Sequence, residues 1–187
     1  MTLPSGLQGR FTVPVIAAPM FLVSGPELVI ASCRAGIAGT FPTLNARPAA
    51  QLDEWLQRID AELDAERRAR PDAVIAPHGV NLILHPSNKR LAEDLEVVVA
   101  HRVPLVITSL GHPGEIVRAV HSYGGLVLSD VVHAYHARKA TDAGVDGIIA
   151  VASGAGGHAG TQSTISLIRE IREFWDGLLV AAGSISD

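Results

Sequence analysis

The sequence predicts an α/β fold of the TIM-type (β/α)8 barrel class, truncated after strand seven. Three observations carry this expectation. Short apolar strand-like runs alternate with helix-patterned stretches along the whole chain, never two strand runs in succession, which implies a parallel sheet with crossover helices. The apolar content is 48% but only 4% is aromatic, so Ala, Val, Ile and Leu carry it, as in strands buried on both faces. Three helix-to-strand joints also look alike: Ala35-Gly36-Ile37-Ala38-Gly39, Tyr123-Gly124-Gly125-Leu126 and Ala143-Gly144-Val145-Asp146-Gly147. A parallel sheet of this kind is either doubly wound or a barrel. The quasi-repeat favours the barrel, and no Gly-x-Gly-x-x-Gly follows the first strand to suggest the doubly wound alternative.

The elements follow in order. Val13 to Met20 is a short apolar strand broken by Pro19. Pro26 opens a helix through Leu28, Val29 and Ile30 that ends near Gly36. Gly36 to Phe41 is the second strand. A helix with Leu52, Trp55, Leu56, Ile59 and Leu63 on one face runs to a stop at Pro71. Val80 to Leu84 is a strand, and Ser87 or Asn88 is expected to cap a helix carrying Leu91, Leu95, Val98 and Val99. Pro104 to Thr108 is a strand, followed by a helix opened at Pro113. Gly125 to Ser129 is a strand, followed by an Ala-rich helix from His133 to Ala143 that Gly144 terminates. Val145 to Val151 is the sixth strand, with a helix carrying Ile165, Ile168, Ile171 and Trp175 after it. Leu178 to Ala182 is the seventh.

At 187 residues the chain is expected to form one domain, 1–187, with a sizeable core and the last part of the barrel missing. The net charge of −4 argues against a nucleic-acid surface. The one basic cluster, Arg67-Arg68-Ala69-Arg70, reads as a solvated helix end. Cys33 stands alone in an apolar helical stretch and reads as core, so no internal disulfide forms and a reducing cytoplasm is the default. No apolar run reaches the ~20 residues that a membrane span requires. An oligomer is compatible with the sequence.

Barrel chemistry sits at the carboxyl ends of the strands. Those ends are Ala18-Pro19-Met20, Thr40-Phe41-Pro42, Asn81, Thr108-Ser109, Ser129-Asp130, Ser153 to His158, and Ala182-Gly183-Ser184. They hold no metal-ligand set; His133 and His136, a turn apart near Asp130, are a poor candidate lacking a further ligand. They hold no paired catalytic carboxylates and no Gly-x-Ser-x-Gly elbow. What remains is a rim of Gly, Ala and Ser with one imidazole. Its centre is Ala152-Ser153-Gly154-Ala155-Gly156-Gly157-His158-Ala159-Gly160, which also suits a tight strand-to-helix turn bearing a surface histidine. A rim so poor in charge fits a ligand that brings its own chemistry, such as an organic cofactor approached closely by backbone. A phosphate group would sit near Gly183-Ser184, at the start of the next helix.

Ala18-Pro19-Met20, Gly79-Val80-Asn81-Leu82, His136-Ala137-Arg138-Lys139-Ala140, Gly154 to Gly160 and Ala181-Ala182-Gly183-Ser184-Ile185 together resemble the nitronate monooxygenases, also called the 2-nitropropane dioxygenase family. The resemblance runs from Val13 to the end, and Gly-Gly-His-x-Gly is its most specific piece. It implies an FMN-dependent barrel with the flavin across the carboxyl-terminal mouth. By that resemblance Ala18, Pro19 and Met20 line the isoalloxazine ring, Asn81 and Ser87 hydrogen-bond the cofactor, and Gly156 meets it through backbone. Ala182, Gly183 and Ser184 hold the phosphate, and His158 is the catalytic base or acid. The implied reaction oxidises an alkyl nitronate with O2 to a carbonyl compound and nitrite. The same scaffold resembles NAD(P)H-dependent quinone reductases and flavin-containing enoyl-acyl-carrier-protein reductases, which is the alternative activity. A non-catalytic fragment is the third reading. Two departures stand out. Asp130 occupies the end of strand five, where relatives carry a Lys that favours the anionic reduced flavin. The family's eighth strand, with a second phosphate loop, would lie beyond Asp187.

Overall fold

The computed structural model describes residues 3–157 and 159–183. Seven strands pair in chain order and all run parallel: β1 (Ile16–Ala17), β2 (Ala38–Pro42), β3 (His78–Ile83), β4 (Leu105–Ser109), β5 (Leu126–Val131), β6 (Gly147–Val151) and β7 (Leu178–Ala182). Helices α1 (Pro26–Arg34), α2 (Ala50–Ala69), α3 (Leu91–Ala100), α4 (Gly114–His121), α5 (Ala134–Asp142) and α6 (Thr164–Arg172) connect them. The sheet curls into an open half-barrel of the TIM type. Alternation along the strands serves both faces: Val106, Val127 and Ile148 pack outward under the helices, while Leu105, Ile107, Leu128 and Ile149 pack inside the curl. Among the described residues no helix is long and apolar enough to cross a membrane.

The repeated joints have one physical cause. Gly36, Gly124 and Gly144 sit at φ of 80°, 83° and 88°, each just past a helix end. At each, the next amide donates to a carbonyl five residues back: Ile37 to Ser32, Gly125 to Val120 and Val145 to Ala140. This is the left-handed helix stop that glycine adopts without steric cost. The end of α3 makes the same stop with Arg102 at φ 49°, and Val103 donates to Val98.

Three expectations are corrected. The first strand is two residues long rather than eight, because Pro14 and Pro19 have no N–H to donate and it lies at the sheet edge. Neither Ser87 nor Asn88 caps α3; Asn88 accepts from the Arg90 amide in the turn ahead of it, and Arg90 is the helix's first flanking residue. In α6 the buried positions are Leu167 and Ile171, while Ile165 is exposed. The cap is Ser163, whose hydroxyl accepts from the Ser166 amide. Cys33 is core as expected, and burial pushes its thiol up to about 11.

Two polar clusters tie the frame together. At the amino ends of the strands, both ring nitrogens of His101 face carboxylates, Asp53 at 2.9 Å and Asp60 at 3.1 Å. Partial burial opposes the charge on His101, but these two hydrogen bonds outweigh it and raise its pKa. His78, on β3 beside it, is buried, and its Nε2 has no hydrogen-bond partner. Asp60 lies 3.6 Å away, too far for a bond, so burial prevails over attraction and lowers the His78 pKa to about 4. At the opposite end, Arg90 donates to Asp94 at 2.8 Å and to the Ala46 carbonyl at 2.7 Å, pinning the segment after β2 onto α3.

Candidate functional site

The carboxyl ends of the strands open into a cleft of about 1120 Å³. Ile107, Ile149 and Val151, from the inside of the curl, form its apolar floor. Ala18, Pro19 and Met20 form one wall, while Gly156, Gly157 and Ala182 form another. Asn81, Ser109, Ser129 and Asp130 line it from three adjacent strands, with His112, His136 and Lys139 also present.

The Ala18–Met20 wall is held by two side chains far along the chain. The Ser24 hydroxyl accepts from the Met20 amide at 2.9 Å and donates to the Ala18 carbonyl at 3.3 Å. The Asn45 amide donates to the Met20 and Ser24 carbonyls at 3.0 and 2.8 Å, and its oxygen accepts from the Leu22 amide at 3.0 Å. These bonds hold Leu22 at φ 63°, a conformation leucine rarely adopts. Neither Ser24 nor Asn45 carried a sequence signal, since both read as loop polar residues.

The Gly-rich loop is anchored at both ends. Ser153 donates to the Gln162 carbonyl at 2.8 Å, and the Ala152 amide donates to the Ala182 carbonyl at 2.9 Å. Gly160 and Gly183 are glycines for packing: a Cβ there would lie 2.8 Å from the Val151 carbonyl and 2.9 Å from the Ala152 carbonyl. Gly156 and Gly157 are different. A Cβ on either meets nothing within 4 Å, so their bare backbone borders open cleft rather than protein.

Along the strand ends, Asn81 donates to Ser109 Oγ at 2.7 Å, and Ser109 donates to Asp130 Oδ2 at 2.5 Å. Asn81 and Ser109 are buried. Register explains the meeting: Ser109 lies level with Ile83, two residues past Asn81 on the neighbouring strand, and the Thr108–Ser129 pairing sets Asp130 beside Ser109 on the other side.

Of the residues singled out in the sequence, Ala18, Pro19, Met20, Asn81, Gly156 and Ala182 come together around the cleft. Gly183 abuts the Gly-rich loop, and its carbonyl accepts from Thr164 at 3.1 Å. Ser87 is exposed outside the lining and bonds the His85 ring at 2.8 Å. His158 and Ser184 lie outside the described residues. Among the described residues no three His, Cys, Asp or Glu side chains are placed to hold a metal ion; the His133 and His136 rings instead lie 5.7 Å apart, tilted by 52°.

The family model for nitronate monooxygenase matches residues 7–187. The chain belongs to the nitronate monooxygenase family. Its fold is shared with a nitroalkane oxidase from Streptomyces ansochromogenes, at 25% identity and a TM-score of 0.80, covering 97% of this chain and 61% of that one. FabK from Thermotoga maritima matches at 26% identity and a TM-score of 0.80, covering 97% of this chain and 53% of that one. A mandelate oxidase at 18% identity and a TM-score of 0.59 shares the fold alone, over 95% of this chain and 59% of that one. The chain thus spans between about half and three fifths of these structures. No curated protein sequence matches it. Within the family, the cleft lies where the fold places its chemistry, at the carboxyl ends of the strands.

Proposed function

We propose that the cleft binds FMN and that the chain carries the oxidoreductase chemistry of a nitronate monooxygenase. The observation that carries this reading is the bare backbone of Gly156 and Gly157 facing an apolar cleft of about 1120 Å³. Glycines whose missing side chains border open space leave room for a flat ring system. The donor set fits as well: small apolar residues at Ala18, Pro19 and Ala182, and one polar seam at Asn81. Asn81 would bond the cofactor, Ala18 to Met20 would line its ring, and Ala182, Gly183 and Ser184 would hold its phosphate. Gly156 would contact it through backbone. Ser87, exposed and bonded to His85, would reach it only by moving.

FMN, when bound, supplies the electron transfer that the protein side chains cannot. The chain supplies orientation and proton handling. His158 would remove the α-proton of a neutral nitroalkane, or orient a substrate already present as the nitronate anion, roles an imidazole performs near neutral pH. The apolar floor at Ile107 and Ile149 excludes water from the alkyl part of the substrate. With O2 as the oxidant, the products are a carbonyl compound and nitrite.

The similarity to FabK supports a second reading, an NAD(P)H-dependent flavin reductase of quinone or enoyl-acyl-carrier-protein type. The two separate cleanly under anaerobic conditions. The FMN-loaded chain is expected to bleach at ~450 nm on addition of ethyl nitronate and to stay yellow with NADH or NADPH. Bleaching by a reduced nicotinamide but not by nitronate would transfer the assignment to the second reading.

A further inference from the structure

We propose that Asp130 is a positioning residue that acts through Ser109 to fix Asn81 as a hydrogen-bond acceptor toward the cleft, selecting a ligand that offers an imide N–H. The inference rests on the FMN reading. A carboxylate only accepts, so the Ser109 hydroxyl proton is committed to Asp130 Oδ2 at 2.5 Å. Ser109 Oγ then has only lone pairs left for Asn81, which must offer Nδ2–H at 2.7 Å. The Ile107 carbonyl, 3.3 Å from the same nitrogen, is also an acceptor. Two acceptors on one side leave a single orientation for the Asn81 amide, with Oδ1 turned away from both.

Asn81 is 5% exposed and lines the cleft. Its Oδ1 has no donor among the described residues, and it is not sealed from the cleft as the buried unpartnered atoms elsewhere in the chain are. A largely buried acceptor on an apolar wall is costly unless a ligand donor meets it. The oxidised isoalloxazine ring has one N–H, at the N3 imide; N1, N5 and its two carbonyls accept. An Asn81 that presented its NH2 would instead favour those acceptors. The carboxylate at position 130 therefore decides, two hydrogen bonds away, which edge of the ring the wall recognises.

The test compares the affinities of FMN and N3-methyl-FMN for the 187-residue chain and for its Asp130→Asn and Ser109→Ala variants, by fluorescence titration. Asparagine at 130 can donate to Ser109, freeing the serine proton for Asn81 Oδ1; Ser109→Ala removes the link outright. The unmodified chain is expected to bind N3-methyl-FMN about tenfold more weakly than FMN, the worth of one buried hydrogen bond. That ratio is expected to fall toward one in Asp130→Asn and part of the way in Ser109→Ala, where the Ile107 carbonyl still meets the amide, in each case through weaker binding of FMN. General damage to the fold would weaken both ligands alike and leave the ratio unchanged. An unchanged ratio in a variant that still binds FMN overturns the role of Asp130. Failure of the unmodified chain to bind either flavin overturns the FMN reading itself, and this inference with it. Should Asp130→Asn fail to fold, Ser109→Ala alone decides.

Discussion

Asp94→Ala is expected to lower the unfolding free energy by about 3 kcal/mol, a large share of the stability of a domain this size. Asp94 is 1% exposed and lies 2.8 Å from Arg90, whose guanidinium also holds the Ala46 carbonyl. Removing the carboxylate leaves a partly buried cation with one hydrogen bond. Arg90 Nε has no partner among the described residues, so without the carboxylate the guanidinium keeps only the Ala46 carbonyl. The Arg90 side chain keeps some contact with water, 23% exposed, which places the effect at the low end for a broken buried pair. The segment that Arg90 pins leads directly from Pro42 and Leu44, which line the cleft, so loosening should reach the site. Urea unfolding checks the figure. A loss below about 1 kcal/mol would mean that the pair contributes no more than an exposed one.

The second large effect is on the acid side of the stability curve. An imidazole titrates at 6.5 when unfolded, and His78 titrates at about 4 in the folded protein, a difference of about 3 kcal/mol. Between those values the unfolded chain binds more protons than the native one, so stability is full above pH ~6.5 and falls as the pH drops toward ~4. His101 has the opposite sign: its folded pKa is raised, so its contribution is complete at low pH and is lost as the pH rises through the folded value. His78→Gln is expected to flatten the acid limb, with about 2 kcal/mol less loss between pH 7 and pH 5 than the unmodified chain shows. Parallel pH profiles would contradict the burial of a neutral His78.

What the sequence made legible was what local chemistry encodes. Strands β2 to β7 are written in short, mostly apolar runs, and Gly36, Gly124 and Gly144 announce their helix stops because only glycine takes a left-handed turn freely. Arg102 makes the same stop with no such announcement. The first strand was overread: Pro19 was seen to break it, but with Pro14 also unable to join a ladder only Ile16 and Ala17 remain paired. Around the cleft, Ala18-Pro19-Met20, Asn81 and Gly156 were found because they resemble a family pattern. Ser24, Asn45 and Ser109 were not given roles, because their parts depend on partners brought close by folding. Asp130 lies 21 residues from Ser109, and only the parallel register joins them. His78 precedes the Val80 to Leu84 run, and nothing local tells a buried histidine from a surface one.

An FMN titration of the chain beside its Gly156→Val variant tests most directly whether the cleft is a flavin site. A Cβ at position 156 meets no protein atom within 4 Å, so valine there should leave the melting temperature unchanged while filling the space assigned to the ring. Saturable one-to-one binding of FMN, weakened about tenfold or more in the variant, is the predicted result. Absence of FMN binding, or equal affinity in the two proteins, would contradict it.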